Sequence, residues 1–128
     1  TPFMCSVKKC LRLKQQLPCP WLALYPDMGN LSAWKENDVF EELSLGLSST
    51  VAVHVKETLR EGNSPTRFKG IPFGSGCVDF PAVFAHMEAL GYLGPYTLEM
   101  WHRGGNAEEN VKKAITFISH CFPSQTSQ

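Results

Sequence analysis

Three ionisable side chains interrupt otherwise apolar segments of the chain, and their types could together hold a metal ion. Asp27 follows one apolar run, His54 lies near the end of a second, and Glu99 lies within a third. An unpaired charge among buried apolar residues is costly, so each of these side chains needs a partner. Two carboxylates and one imidazole form a ligand set that suits Zn²⁺ or Mn²⁺. The alternatives are structural: a lone Asp after a strand can form a turn or cap a helix, and a lone His can be a satisfied core residue.

The elements that must position these side chains are predicted as short strands alternating with amphipathic helices. Apolar and β-branched runs predict buried strands at 21–26, 50–55 and 96–101. Helical spacing and capping residues predict four helices, at 6–17, 38–47 and 79–90 and after 106. The last helix is predicted to bury an apolar stripe of Val111, Ile115, Ile118 and Phe122. Alternation of this kind is typical of right-handed βα units on a parallel sheet.

Parallel α/β folds place their functional sites at the carboxyl ends of the strands. Asp27, His54 and Glu99 lie at or near those ends, one for each predicted strand. Because the ends of parallel strands meet at one edge of a sheet, we expect the three side chains to converge there. The arrangement predicts a shared metal site at that edge, with the structural alternatives still open.

A long polar segment at 56–78, rich in Gly and Pro, is predicted to be a loop beside this edge. A structureless loop of this length is uncommon in a compact domain and is often functional. It carries four cations, Lys56, Arg60, Arg67 and Lys69, which could bind a phosphate group. The alternative, which the composition by itself favours, is a solvated loop.

The composition limits the class of protein. Lys and Arg number 12 and balance 12 Asp and Glu, which argues against a nucleic-acid protein of the basic-patch kind. The chain has no apolar run long enough to span a bilayer and no recognisable signal peptide at its start. Its five cysteines do not read as a disulfide framework, so reduced cysteines and a cytoplasmic location are predicted. The polar tail at 123–128 is predicted to be disordered.

Several strings resemble one bacterial enzyme family, the L-ribulose-5-phosphate 3-epimerases, also called L-xylulose-5-phosphate 3-epimerases, of ascorbate and pentose catabolism. They are Thr-Pro-Phe-Met, YPDMGNLSAW, VAVHVK, FKGIPFG and GPYTLEMW, at 1–4, 25–34, 51–56, 68–74 and 94–101. They occur in the family's order across nearly the whole chain. The chain departs from the family pattern at Ser75, where the family has Glu, and at Glu57, where it has Asp.

The resemblance implies a xylose-isomerase-like TIM barrel. Residues 1–128 would form one partial domain, the C-terminal part of a (β/α)8 barrel, with three parallel strands and outer helices. It also implies a divalent metal, Zn²⁺ or Mn²⁺, held by Glu, Asp, His and Glu from the last four strands. Asp27, His54 and Glu99 match the last three ligands, and the first Glu belongs upstream of the first residue of this chain.

The activity that the resemblance implies is inversion of carbon 3 of a ketopentose 5-phosphate, which would convert L-ribulose 5-phosphate to L-xylulose 5-phosphate through an enediolate. Glu99 would be one of two acid–base carboxylates. The substrate-binding residues would be Asn30, Lys56, Lys69 and Trp101, with Asn30 at a hydroxyl and Lys69 and its loop neighbours at the phosphate. The ligand expected is a small sugar phosphate, and neither nucleic acid nor membrane is expected as a partner.

Other functions stay open at this stage. An aldose–ketose isomerase or a 3-epimerase of free ketoses would belong to the same superfamily, and a non-catalytic fragment is a third alternative. An open partial barrel exposes sheet edges, which a partner, the missing segment or self-association as a homo-oligomer would cover.

Overall fold

The structure, a computed structural model, describes residues 5–62, 64–101 and 104–123, and the side chains of 64–66 are not described. The helices are α1 (Val7–Gln16), α2 (Met28–Ala33), α3 (Val39–Gly46), α4 (Phe80–Ala89) and α5 (Ala107–Cys121), with a short 3-10 helix at Leu47–Ser49. The strands are β1 (Val53–Val55), β2 (Leu59–Glu61), β3 (Ser64–Arg67) and β4 (Tyr96–Leu98). The predicted disordered tail falls outside the described residues from 124 onward. In the described part of the chain, no helix has the length and apolar character needed to cross a membrane.

Each of the five α-helices begins at a residue whose side chain accepts a hydrogen bond from a backbone N–H of the first turn. These N-cap residues are Ser6, Asp27, Asp38, Asp79 and Asn106. A cap of this type satisfies one of the donors that have no partner within the helix and is typically worth about 1 kcal/mol. Asp38 and Asp79 thus begin the helices predicted at 38–47 and 79–90, where the sequence offered either Asn37 or Asp38 as the first of these caps.

Three chain segments pair in parallel, as the sequence predicts. β1 pairs with β4 along its whole length, with His54 opposite Thr97. On the other side of β1, isolated parallel bridges join Leu24 to Thr50 and Asp27 to His54. The segment around 24–27, β1 and β4 therefore lie side by side in that order, and their carboxyl ends share one edge.

The prediction of a buried strand at 21–26 is wrong. Trp21 is 90% exposed and Tyr25 is 44% exposed, and within this segment only Leu24 and Pro26 are buried. Pro20 precedes the segment and Pro26 ends it, and neither has an N–H to donate to a ladder, so pairing is limited to single bridges. Asp27 then caps α2, which begins directly after it.

The segment at 56–78 is not structureless, contrary to prediction. β2 and β3 form an antiparallel hairpin within it, with a register shift between Leu59 and Arg60. The two strands are short, and the hairpin contains Pro65 and Gly62, which has a left-handed conformation. Glycine and proline are typical of loops in a sequence, so this hairpin was predicted as a loop. The hairpin forms a second sheet, separate from the parallel one.

The predicted buried stripe of α5 is mostly wrong, because only Ile118, at 6% exposure, is buried. Val111 and Ile115 are 42% and 53% exposed. Phe122 stacks on Phe84 with 4.1 Å between ring centroids but is itself 41% exposed. The buried face of α5 is rotated toward its aromatic contacts, because Phe117 packs edge-on to Phe80 of α4, 6.0 Å between ring centroids, and draws Ala114, Ile118 and Cys121 inward.

The core lies between the parallel segments and the helices. It is rich in aromatic and sulfur-containing side chains, and its fully buried members include Met28, Leu43, Val53, Val55, Phe80, Val83, Phe84 and Met87. These residues come from α2, α3, β1 and α4. The core therefore fixes β1, whose end carries His54, against the helix that Asp27 begins.

The close approach of α2 to the end of β1 depends on Gly29. A Cβ added there would lie 2.2 Å from the carbonyl oxygen of Lys56, and neither backbone segment can move away cheaply. The hydroxyl of Thr58 also donates to the Gly29 carbonyl at 2.7 Å. Only glycine therefore fits at this crossing.

We expect Gly29→Ala to lower the free energy of unfolding by about 1–3 kcal/mol, the usual cost of overpacking a well-packed region. Urea denaturation of both proteins measures the difference. Ser32→Ala, on the same helix, removes only a hydroxyl that donates to the Met28 carbonyl and should cost about 1 kcal/mol or less. Equal stability of Gly29→Ala and the unchanged chain would contradict the steric conflict that we expect at this crossing.

Candidate metal centre

Asp27, His54 and Glu99 converge at the carboxyl edge of the parallel segments. Each offers one ligand atom, and these three atoms all lie within 4.8 Å of one another. Asp27 and His54 are bridge partners, and the N–H of Glu99 donates to the Val55 carbonyl just past the end of β1. Parallel pairing therefore places the three side chains together, as the sequence predicts.

The two carboxylate oxygens of Asp27 have different surroundings. Oδ1 accepts the Asn30 N–H at 2.7 Å and caps α2, whereas Oδ2 is buried and accepts no hydrogen bond from the described part of the chain. Burial raises the pKa of the Asp27 carboxyl above its usual value, although the Asn30 N–H and the charge of Lys56 act in the opposite direction. Oδ1 thus fills the structural role that the sequence analysis considered, and Oδ2 is left available for the role of a ligand.

Glu99 is held by one oxygen and presents the other. Its Oε1 accepts hydrogen bonds from Lys56 Nζ at 2.9 Å and Trp101 Nε1 at 2.8 Å. Its Oε2 lies 3.6 Å from Nδ1 of His54. Partial burial acts to raise the pKa of Glu99, but the hydrogen bonds from Lys56 and Trp101 outweigh it and hold that pKa below its usual value.

The imidazole of His54 is fixed by an aromatic neighbour. The ring of Tyr25 packs against it with 3.9 Å between the centroids and a tilt of 34°. The side chain of His54 is 29% exposed, so the ring is partly accessible to solvent. Tyr25 was not anticipated as a site residue, although its position two residues before Asp27 in the predicted strand was a signal for it.

The residues present fit a divalent cation. A buried carboxylate oxygen with no hydrogen-bond partner is costly, and Asp27 Oδ2 is such an atom beside a second carboxylate and an imidazole. An ion at the common point would supply the missing partner. The donor set of two oxygens and one nitrogen matches the preferences of Zn²⁺ and Mn²⁺.

The comparison with protein families agrees with this arrangement. Residues 1–121 match the family described as xylose isomerase-like TIM barrel. The chain belongs to this family. The resemblance seen in the sequence and the predicted partial (β/α)8 fold are thereby confirmed.

Relatives of this xylose isomerase-like chain include one named L-ribulose-5-phosphate 3-epimerase UlaE, from Salmonella paratyphi C (strain RKS4594). It is 51% identical over 118 residues, which are 91% of this chain and 39% of the relative. The chain thus spans about two fifths of the length of the curated relatives that it matches.

Two solved structures share the fold of this chain. The xylose isomerase domain protein from Planctomyces limnophilus aligns with a TM-score of 0.75 and 19% identity, over 91% of this chain and 43% of that protein. The 3-keto-D-glucoside 4-epimerase YcjR from E. coli, in its apo form, aligns with a TM-score of 0.72 and 16% identity, over 93% and 41%. At these identities the comparison supports the fold alone.

The predicted substrate-binding residues of this family member lie at different distances from the cluster. Lys56 and Trp101 both contact Glu99, and the ammonium of Lys69 lies 3.7 Å from the centre of the Trp101 ring. Asn30, in α2, has a buried Oδ1 with no hydrogen-bond partner in the described part of the chain. It lines a small cavity together with Asp27, on the side of α1.

The four cations of the segment at 56–78 do not form one phosphate site. Lys56 is paired with Glu99, and Arg60 donates to the Ser32 carbonyl at 3.1 Å. Lys69 has an exposed side chain, and its charge lies over the ring of Trp101, which lines the cleft beside Glu99. Of these three cations, Lys69 is therefore the one best placed to meet a phosphate.

A cleft of about 310 Å³ opens beside Glu99. Its walls combine polar groups with apolar and aromatic side chains, and they include Lys56, Phe68, Phe73, Glu99, Trp101 and Phe117. A volume of this size is at the lower end of small-molecule sites. Glu99 is thus reached from a space that could hold a pentose.

Glu57, which was not among the predicted site residues, lines this cleft and binds the backbone around it. Its buried carboxylate accepts backbone N–H groups of Thr58, Gly74 and Val78 at 2.9–3.3 Å. Gly76 lies so close that an added Cβ would be 2.2 Å from Glu57 Oε1. Burial raises the pKa of this carboxyl while the backbone donors oppose the shift. The glycines of the segment at 74–76 were the signal in the sequence.

Proposed function

We propose that this chain supplies the C-terminal part of the active site of a metal-dependent sugar-phosphate epimerase. The reaction is inversion of carbon 3 of a ketopentose 5-phosphate, L-ribulose 5-phosphate to L-xylulose 5-phosphate, in the cytoplasm. One observation carries the proposal: three ligand atoms of Asp27, His54 and Glu99 meet within 4.8 Å in a chain 51% identical to a relative named as that epimerase.

Asp27, through Oδ2, and His54 would hold the ion together with Glu99, through Oε2. Zn²⁺ or Mn²⁺ bound there would supply Lewis-acid stabilisation for negative charge that develops on the substrate oxygens when carbon 3 loses its proton. The hydrogen bond from the Asn30 N–H holds Asp27 in its orientation, and the ring of Tyr25 holds His54. The chain thus fixes the orientation of two ligands before any ion arrives.

Glu99 is the proposed acid–base residue of this chain. Its lowered pKa keeps the carboxylate ionised at neutral pH, as a group that removes a proton must be. Lys56 and Trp101 donate to Oε1, so the carboxylate that transfers the proton is held in a defined orientation, with Oε2 on the side of His54. A second carboxylate on the opposite face of carbon 3 is needed for inversion, and the resemblance assigns it to a Glu outside this chain.

Two contacts are proposed for the rest of the substrate. The ammonium of Lys69, held over Trp101 at the cleft, would pair with the 5-phosphate. The amide oxygen Oδ1 of Asn30 would accept a substrate hydroxyl, which would give this buried atom the partner that it otherwise lacks.

Direct measurement of metal binding tests the site. We expect His54→Ala and Asp27→Asn each to weaken Mn²⁺ or Zn²⁺ binding at least about 10–100-fold, since changing even a residue behind a ligand costs that much. Isothermal titration calorimetry measures the affinities, and circular dichroism verifies that each variant folds.

The matched control for this experiment is His120→Ala. This imidazole lies on α5, is exposed and contacts only the Thr116 carbonyl of its own helix among the described hydrogen bonds. Its removal should leave the affinity within about twofold of the unchanged chain. If all three variants bind the ion equally well, the ion is held elsewhere and the proposed site is wrong.

A further inference from the structure

Lys56 is a buried lysine in direct contact with the candidate metal ligands. It follows β1, its side chain is 8% exposed, and its Nζ lies 2.9 Å from Glu99 Oε1 and 3.8 Å from Asp27 Oδ2. Lysine is almost never buried unless it is paired. Here one ammonium faces two carboxylates that would otherwise repel each other in a partly buried site.

The same two carboxylates are members of the proposed ion site. A divalent cation that binds them brings a second positive centre to a place that already contains one. If the ammonium stays, the two cations repel, and if it leaves, both of its contacts must break. In either case the presence of Lys56 lowers the affinity of the site for the ion.

The position of Glu99 does not depend on Lys56 alone. Trp101 Nε1 donates to the same Oε1 at 2.8 Å, and Oε2 remains toward His54. Loss of the ammonium therefore removes a charge from the cluster while one donor still orients the carboxylate.

We propose that Lys56 is the resident counter-ion of the metal-free site and that a divalent ion displaces its ammonium from Asp27 and Glu99 when it binds. The inference rests on the proposed metal site. Lys56 stabilises the fold when no ion is bound, and it sets the affinity below the value that the three ligands alone would give. It acts through the ligands, so it is a positioning residue.

The test compares the unchanged chain with Lys56→Met, which keeps an unbranched stem and removes the charge. Affinity for Mn²⁺ alone is measured by titration calorimetry, and thermal unfolding is followed with EDTA and with excess Mn²⁺. We expect Lys56→Met to bind Mn²⁺ at least about tenfold more tightly, while its unfolding temperature in EDTA falls. A lysine with only a structural role would lower the unfolding temperature without tightening the binding.

Two controls separate charge from structure. Lys112→Met removes the same charge from α5, where Lys112 pairs with Glu108 on the exposed surface, and the affinity should not change. Lys56→Arg keeps the charge at the cluster and should bind Mn²⁺ no more tightly than the unchanged chain. Lys56→Gln, with the same expectation as Lys56→Met, is used if the methionine variant does not fold.

Each result decides between the proposals. Tighter binding by the uncharged variants alone supports the role of Lys56. Equal or weaker binding by folded Lys56→Met and Lys56→Gln overturns that role and leaves the proposed metal site standing. Absence of Mn²⁺ binding in the unchanged chain and in both uncharged variants overturns the metal site, and the role of Lys56 with it.

Discussion

Replacement of Glu99 by Gln is expected to lower the epimerase rate of a completed barrel by about 10²–10⁴-fold, the usual contribution of a positioned acid–base group. An amide cannot take the proton from carbon 3, although its oxygen can still accept hydrogen bonds from Lys56 and Trp101. The completed barrel can be made by joining the N-terminal part of the Salmonella relative to this chain. Exchange of the carbon 3 proton in D₂O, with added Zn²⁺ or Mn²⁺, reports the step that Glu99 is proposed to carry out.

Glu109→Gln is the matched control for this experiment. Glu109 lies in the first turn of α5 and pairs with Lys113 on the surface, so the same change of side chain should leave the rate unaffected. A Glu99→Gln barrel that retained most of its exchange activity would contradict the assignment. The proton would then pass through another carboxylate, and Glu57, which also lines the cleft, would be examined first.

The 128 residues on their own are expected to show no epimerase activity above background, while the completed barrel is active. Inversion needs a group on each face of carbon 3, and this chain is proposed to supply only Glu99. Loss of the second group costs about 10²–10⁴-fold in rate, and a site with three ligands instead of four also stabilises the enediolate less. Both proteins are assayed with L-ribulose 5-phosphate at equal concentration and with excess divalent ion.

An assay of the completed barrel with and without the 5-phosphate on the substrate also distinguishes a sugar-phosphate epimerase from a free-ketose epimerase. L-ribulose without its phosphate should react more slowly in the completed barrel, because the contact with Lys69 is lost, and Lys69→Met should reduce that difference. Full activity from the 128 residues alone would contradict the division of the acid–base groups. A faster reaction with the free ketose would favour a free-ketose 3-epimerase instead.

The convergence of the three candidate ligands could be predicted from the sequence because one rule was sufficient for each of them. An ionisable residue at the end of an apolar run, in a chain of alternating strands and helices, lies at the carboxyl edge of a parallel sheet. The rule needs only the order of the elements and tolerates errors in their bounds. Asp27 was therefore placed correctly even though the strand before it was wrong and its exposed Trp21 was predicted to be buried.

Contacts between side chains could not be predicted in the same way. Four cations in one polar segment are equivalent in the sequence, and only the fold distinguishes Lys56, buried on Glu99, from Arg60, bound to a carbonyl of α2. The stripe of α5 was misjudged for a related reason. Periodicity gives the width of an apolar face, but the contact of Phe117 with Phe80 decides which flank turns inward.

Parallel pairing has a consequence for the lifetime of this protein in a cell. Asp27, His54 and Glu99 reach one another through strands that cannot pair until a long crossover has formed, so in the unfolded chain the three side chains are far apart. A divalent ion would then bind almost exclusively to the folded state. Each tenfold rise of the free ion concentration above the dissociation constant would therefore add about 1.4 kcal/mol to the free energy of unfolding. Metal starvation would therefore also expose this protein to faster proteolysis and lower its abundance.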